Sequence, residues 1–392
     1  MGQRALARGS GRERAGGGLI VAAPPGEAAP TRAQVERIVA GAATAPSADN
    51  CQPWRFRWDG AELTIRLDPE RARHVVDHRH HASLFTLGGV LEALSIAASD
   101  ERLEARPRLS LDRPAGAPWA TIRFTAGPDA PHELAGALRL RCTDRRFFQG
   151  GALSDGVFDE IRRDAAGRPD CAVHLCERYP EDLVDYLAQA DTYVWRHAEV
   201  YRDIIAWIRF TRAEVEATRD GIPWNSFGID LPEIGALRIS RARLVQALIP
   251  RLRLEVASRR WVARHVASSA ALACFTVRRA SPEGLVAAGG LALLSWVRLS
   301  CAGYGVQPLG IQSLQIYNAA TCGLPAGTRP GFDALFRGGR EVVARAFGIP
   351  DGELPVWMLR TGRTTPLPAD ARTLRLPVDR ILEFADDPAG AR

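Results

Sequence analysis

Between residues 43 and 56 the chain reads ATAPSADNCQPWRF. Pro46, Ser47, Asp49, Asn50 and Gln52-Pro53 stand between a helix pattern and a strand pattern with almost no spacer. Such side chains bond open backbone, and they sit where a ligand could meet it. The same residue types also make a plain helix stop followed by an Asx-turn. A second polar cluster, RCTDRRFF at 141–148, offers forked guanidinium groups and one hydroxyl. Its other reading is a solvated turn with Asp144 paired to a neighbouring arginine.

Composition narrows the chemistry. The chain has 392 residues, 46% of them hydrophobic, enough for a large core and two domains or one intertwined double domain. All 51 basic residues are arginine. A P-loop therefore lacks its phosphate lysine, and Schiff-base chemistry lacks its amine. Any anion site must use arginine, hydroxyls or backbone N–H groups. The net charge of +6 reads as scattered, with no basic run interleaved with aromatics, so nucleic acid is not an expected partner. Seven cysteines without zinc-type pairing read as free thiols of a reducing cytosol. DHRHH at 77–81 crowds Asp77, His78, His80 and His81 on a loop, but no second His/Cys cluster follows and no metal is expected. The longest apolar run, near LVAAGGLALLSWV, has about 13 residues, short of the roughly 20 of a membrane span. A cytoplasmic protein without membrane contact is the expectation.

The elements that must position these residues follow from periodicity. Thr31 caps a helix to about Ala43, with Val35, Ile38 and Val39 on one side. WRFRW and LTIRL alternate around Asp59-Gly60, a hairpin signal. Helices are predicted over Ser83–Ser99, PHELAGALRL, Asp155–Asp164, Glu181–Arg196, Ala198–Arg219 and Gly284–Ala302. Strands are predicted at RPRLSL, WATIRFT, CAVHLCE, AALACFTV and PVWMLRTGR. LGGVLEALSIAAS and AGGLALLSWVRLS form a faint internal echo, each with Gly-Gly one residue into an apolar helix.

Four segments in order carry a resemblance. APSADNCQPWRF, RCTDRRFF, GYGVQPLG at 303–310 and TLRLPVDR at 373–380 together resemble the FMN-dependent nitroreductase family. RCTDRRFF is similar to that family's Arg-x-Ser/Thr-x-Lys/Arg phosphate motif, and TLRLPVDR to its C-terminal Lys-x-Arg-Leu-Pro segment. In the family the phosphate motif precedes the Pro-Ser-x-x-Asn element, and two subunits share each flavin. Here the phosphate motif opens the second half, and the first half keeps Pro46-Ser47-Ala48-Asp49-Asn50. The inferred organisation is a fused pseudo-dimer with one complete site and one ruined one, similar to the mycobacterial dormancy-associated nitroreductase-like proteins.

The resemblance implies an α+β fold with a central, mostly antiparallel sheet wrapped by helices. It places a tail at 1–30, a first half at 31–135, and a second half at 136–392 with a helical lid at about 181–250. It implies FMN as cofactor, with Arg141, Thr143 and Arg375 on the phosphate and Arg145 near the ring's N1 and O2. Pro46, Ser47 and Asn50 would meet the ring or ribityl edge, and Gln307, Pro308, Leu309 and Gly310 the N5 edge. The flavin carries the chemistry, so no catalytic side chain is assigned. NAD(P)H is the electron donor the resemblance allows. Yet Leu309-Gly310-Ile311 lacks the Glu-Gly that often follows this proline, which stands against ordinary NAD(P)H docking. The implied activity is FMN-dependent oxidoreduction of a small, flat organic molecule by a monomeric pseudo-dimer. The alternatives are a flavin holder with an occluded site or a specialised dehydrogenase. Trp207, Phe210, Trp224, Phe227 and Tyr304 could stack on the flavin or simply fill the core.

Overall fold

The computed structural model describes residues 29–111, 116–251 and 255–386. The expected tail at 1–30 lies, but for its last two residues, outside them. Helix α1 (Arg32–Ala42) opens on a capping box in which Thr31 and Gln34 satisfy each other's backbone N–H. Strands β1 (Trp54–Trp58) and β2 (Leu63–Leu67) form the hairpin expected around Asp59-Gly60. Asp59 Oδ1 accepts from the Ala61 and Glu62 N–H groups, and Gly60 takes φ +95°. Helix α2 (His81–Asp100) and strands β3 (Leu103–Leu109) and β4 (Ala120–Ala126) complete a sheet in the order β1-β2-β4-β3.

The same succession then recurs. It runs through helix α3 (Asp155–Ala166), strands β5 (Cys171–Cys176) and β8 (Ala271–Val277), helix α10 (Pro282–Cys301), and strands β9 (Tyr304–Pro308) and β10 (Leu354–Arg363). The second sheet has the order β5-β8-β10-β9, the first order over again. The fold is thus α+β with two mostly antiparallel sheets rather than one central sheet. Long helical insertions set the halves apart. Between β5 and β8 lie α4 (Glu181–Arg196), α5 (Ala198–Ala206), α6 (Arg212–Thr218), α7 (Leu231–Ile239), α8 (Arg243–Leu248) and α9 (Glu255–Ala267). A two-residue parallel pair, β6 (Ile208–Arg209) with β7 (Ile222–Pro223), flanks α6. Between β9 and β10 lie α11 (Gly310–Thr321) and α12 (Phe332–Phe347).

The two halves meet through α2 and α10, the most extensive helix contact in the molecule. A Cβ on Gly88 would stand 1.9 Å from the Val286 carbonyl oxygen, and one on Gly289 would stand 1.8 Å from that of Phe85. Each glycine meets the residue three before the other glycine, so the contact is reciprocal about a local two-fold relation. The Gly-Gly echo is therefore a packing device. Both helices are long and apolar enough to cross a membrane, but 83% of each apolar window is buried inside the protein.

The chain finally returns to its start. Strand β11 (Leu382–Phe384) pairs in parallel with β1. The C-terminal segment thus belongs spatially to the first sheet, and it brings Arg375 beside the loop after α1.

Three local expectations differ. PHELAGALRL makes only a short 3-10 turn at Ala135–Ala137. The helix expected over Ala198–Arg219 breaks after Ala206, because Thr211 caps a new helix with Glu214. The positive charge is not scattered. Residues 231–267 hold eight arginines against two glutamates, a net of +6 that equals the charge of the whole chain.

Candidate active site

A cavity of about 310 Å³ lies where the halves join, within the usual range for small-molecule sites. The first half contributes Pro46, Ser47, Asp49, His74 and Phe85; the second contributes Thr143, Arg145, Trp296, Gln307 and Trp357. Phe85 and Trp357 stack on each other at 4.8 Å, giving a flat apolar wall. Phe227, Ile204 and Ile222 of the helical insertion also line it. Of the eleven residues chosen from the sequence, Pro46, Ser47, Thr143, Arg145, Gln307, Pro308 and Gly310 line this one cavity.

Arg145 is the arginine of the cavity. Its Nη1 is shielded from solvent and has no hydrogen-bond partner among the described residues. Its guanidinium lies 5.4 Å from the Phe227 ring centroid. Burial pulls its pKa down to about 10, against the opposing charges of Asp49 and Asp144. Asp144 does not neutralise it, because that carboxylate is bonded by Arg146 at 2.6 Å and Thr364 at 3.0 Å. The internal Asp–Arg pairing weighed for this motif is real, but it involves Arg146 and leaves Arg145 open. The segment is held against β9 by the Asp144 N–H, which donates to the Val306 carbonyl at 3.0 Å.

Gln307 has a fixed orientation. Arg360 donates through Nε to its Oε1 at 2.5 Å and through Nη2 to the Arg146 carbonyl. Gly310 opens α11, where the first N–H groups have no intrahelical partner. Leu309 departs from expectation. Its N–H is taken by the Met358 carbonyl at 2.8 Å, and its side chain packs against a buried cluster that includes Ile316, Phe336 and Met358 rather than on the cavity.

Arg141, Arg375 and Asn50 converge just beyond the cavity. Arg141 lies over Trp296 at 4.8 Å and donates to the Thr44 carbonyl. Arg375 donates to the carbonyls of Ala43, Thr44 and Ala45, and to Asn50 Oδ1 at 2.7 Å. Among the described residues no carboxylate pairs with either arginine. Burial pulls Arg141 to about 10 and Arg375 to about 9, the latter further depressed by Arg141 and Arg372. Asn50 is a knot in the framework rather than a cavity ligand. Its Nδ2 donates to the carbonyls of Gly221 and Leu374, tying three distant segments together.

This knot has a backbone signature. Asp49, Asn50 and Gln52 all adopt positive φ, at 46°, 57° and 53°. Non-glycine residues held this way cost about 1–3 kcal/mol each and persist only where surroundings over-determine them. The surroundings are specific: Gln52 Oε1 accepts from the Leu376 N–H, and its Nε2 donates to the Arg219 carbonyl.

His74, which lines the cavity, escaped the sequence reading. His74 is buried, stacks on Trp207 at 5.6 Å and 10°, and lies 3.5 Å from Asp49 Oδ2. No local pattern announces it, since its partners lie 25 residues before and 133 after it in the chain. The neighbouring DHRHH residues serve structure. Asp77 caps α2 by accepting from the N–H groups of Ala82 and Ser83 and the Ser83 hydroxyl. His81 bonds Asn318 at 2.7 Å. Among the lid aromatics only Phe227 lines the cavity; Phe210 and Trp224 pack in a separate small core, and Tyr304 accepts from the Ser154 N–H. A wider cleft of about 810 Å³ beside α1 and β11 holds none of the chosen residues, and Arg32, Arg55 and Arg71 in it are held by Glu36, Asp68 and Asp220.

No family model and no curated protein matches the chain. Solved structures show partial similarity. A nitroreductase with bound FMN from Desulfitobacterium hafniense DCB-2 shares 12% identity at a TM-score of 0.31, covering 61% of this chain and 97% of its own. A nitroreductase-like family protein from Bacillus cereus shares 14% at 0.32, covering 66% and 100%. A point mutant of the FMN- and NADPH-dependent nitroreductase NfnB from Sphingopyxis sp. strain HMH shares 13% at 0.33, covering 65% and 100%. Similarity of this size leaves the functional assignment to the geometry of the site.

Proposed function

We propose that the protein is an FMN-dependent oxidoreductase of nitroreductase type, built as two fused halves that share one site. The observation that carries the reading is the unpaired, solvent-shielded Nη1 of Arg145, a residue that lines the cavity between the halves. A shielded cation without a partner is costly, and a planar ligand edge that gains negative charge on reduction would offset that cost. Arg141 and Arg375, two cations without a carboxylate, suit the phosphate, with Thr143 adding a hydroxyl. Pro46, Ser47, Gln307, Pro308 and Gly310 would frame the ring. Leu309 and Asn50 would act from behind, by placing β9 and the 49–52 loop.

Bound there, FMN supplies reversible hydride transfer at N5. The chain's own contribution is to hold a flat substrate on the ring face, exclude water with the helical insertion, and stabilise negative charge with Arg145 and the N-terminus of α11. The two halves are residues 31–135 and 136–392, with the lid at about 181–250 inserted between β5 and β8. What supports a fused pair is the repeated strand order and the reciprocal Gly88/Gly289 contact. The partner is a small molecule, the compartment the cytoplasm, and the fused chain is the working unit.

A second reading is favoured by the lid walls over the cavity and by Leu309-Gly310-Ile311 in place of a carboxylate: a flavin holder, or a dehydrogenase of a biosynthetic intermediate, that NAD(P)H does not reduce. The absorbance spectrum of the purified protein, then anaerobic mixing with NADPH, tests both. A yellow protein bleached by NADPH supports the reductase. A yellow protein that stays yellow supports the second reading. Absence of any FMN uptake ends both.

A further inference from the structure

Among the cavity residues that cofactor binding does not use are His74 and two carboxylates, Asp49 and Asp77, of which Asp77 is spent on capping α2. His74 is 8% exposed, its Nε2 has no hydrogen-bond partner among the described residues, and it lies 3.5 Å from Asp49 Oδ2. The ring is clamped flat against Trp207. Its backbone N–H is spent on the Ala72 carbonyl, so the residue is fixed from both ends. Asp49 projects from the strained 49–52 loop at φ 46° and keeps 21% of its side chain in contact with solvent. Both side chains face the same cavity as Arg145.

We propose that His74, backed by Asp49, is the proton donor to the substrate in this cavity, an inference that rests on the flavin reading. The substrate is then a flat acceptor whose oxygen or nitrogen turns basic as it is reduced. Two-electron reduction adds one hydride, from the reduced flavin, and one proton. The proton leaves His74 Nε2 for the heteroatom, the ring becomes neutral, and solvent restores the proton past the exposed edge of Asp49. Atoms and charge balance without a further reactant.

The surroundings suit a proton-holding imidazole. Burial alone would strip the proton, and it is the largest influence on the ring. Asp49 in the 49–52 loop, Asp203 on α5 and Asp77 before α2 all face His74 and together hold its pKa above the ordinary histidine value. Asp203 is anchored by the Val75 N–H at 2.8 Å and Asp77 by its capping bonds, so neither is free to swing away. Trp207 adds a neutral face. Asp49 and Asp77 both line the cavity and Asp203 does not, but the Asp77 carboxylate is already taken up by the α2 N–H groups and the Ser83 hydroxyl.

Two measurements test the pairing. Ring ¹⁵N–¹H correlations of the protein without FMN, with the His74 signal assigned by its loss in His74→Gln, give the titration of the ring. A midpoint above 6.5 that falls in Asp49→Asn is expected; asparagine tolerates the left-handed backbone, so this variant keeps the loop. The second is anaerobic stopped-flow of FMN-saturated, dithionite-reduced protein with menadione. Reoxidation should slow as pH rises through the His74 midpoint, shift to lower pH in Asp49→Asn, and become about 100-fold slower and pH-independent in His74→Gln. A ring that titrates alike with and without Asp49 overturns the proposal. So does a pH profile that survives His74→Gln, or no reaction with menadione at any pH. A wild-type protein that takes up no FMN overturns the cofactor reading instead, and the ring titration still decides the pair.

Discussion

Arg141 and Arg375 donate to one and the same oxygen, the Thr44 carbonyl, at 2.9 and 3.3 Å. Two guanidinium groups from segments more than 230 residues apart thus converge on the C-terminal end of α1, with no carboxylate of the described residues between them. Carbonyls satisfy their hydrogens but leave their charge uncompensated. FMN affinity should therefore drop about 10- to 100-fold in Arg375→Ala, the loss of a charge-assisted bond of about 1.5–3 kcal/mol. Arg375→Lys should recover part of it, because it restores charge without the fork. Flavin fluorescence titration reads both; equal affinity in wild type and Arg375→Ala would remove the phosphate from this place.

Arg145 should set the redox potential of the bound flavin. Its unpartnered Nη1 favours whichever state is more negative. Arg145→Gln keeps much of the shape and loses the charge. The bound flavin should shift to lower potential by tens of millivolts, since about 30 mV corresponds to 1.4 kcal/mol for a two-electron couple. Spectroelectrochemistry against a reference dye gives the shift, and an unmoved potential would mean that Arg145 faces something other than the ring.

The helix crossing makes a sharper prediction for stability. In Gly289→Ala the new methyl would meet the Phe85 backbone at 1.8 Å, and backbone cannot step aside as a side-chain tip can. A loss of about 3 kcal/mol or more is expected, at the upper end of overpacking effects. Gly290→Ala is the control, since its nearest atoms are the ends of the Arg168 and Glu92 side chains at 3.0 Å. Urea denaturation should separate the two variants clearly; equal stability would contradict the close helix approach.

His265 predicts a pH effect on stability. Burial, then Arg360, push its pKa down to about 4, while the carbonyls of Trp261 and Arg145 beside its ring nitrogens pull upward and lose. The unfolded chain takes up the proton near pH 6.5 and the folded protein only near 4, so protonation favours unfolding between those values. Stability should be fully present above pH 6.5 and fall at up to about 1.4 kcal/mol per pH unit on acidification towards 4. His265→Gln should flatten that slope in chemical denaturation run from pH 7 to 4. A slope unchanged by the substitution would assign it to other groups.

Much of the architecture was legible because it is local. The Asp59-Gly60 hairpin, the Thr31 cap and the α4 boundaries at Glu181 and Arg196 depend on neighbours within a few residues, and periodicity carries that information. The break after Ala206 was legible too, in Thr211 and Glu214, but the amphipathic pattern across it looked continuous. The charge of residues 231–267 is written in the sequence, but its arginines are spaced through apolar residues and form no long run.

The site divides along the same line. Residue types and spacing alone determined that any anion must meet arginine, that residues 43–53 and 141–146 carry polar groups beyond what a connection needs, and that two apolar helices share a Gly-Gly pair. Tertiary structure alone decided that Arg146 rather than Arg145 takes Asp144, that Asn50 ties segments together, and that His74 reaches Asp49 beside Trp207. The physical reason is range. Capping, turns and periodicity act through the adjacent chain, whereas burial and charge pairing depend on which distant groups the packing of α2 on α10 brings within a few ångströms, and no spacing in the chain encodes that distance.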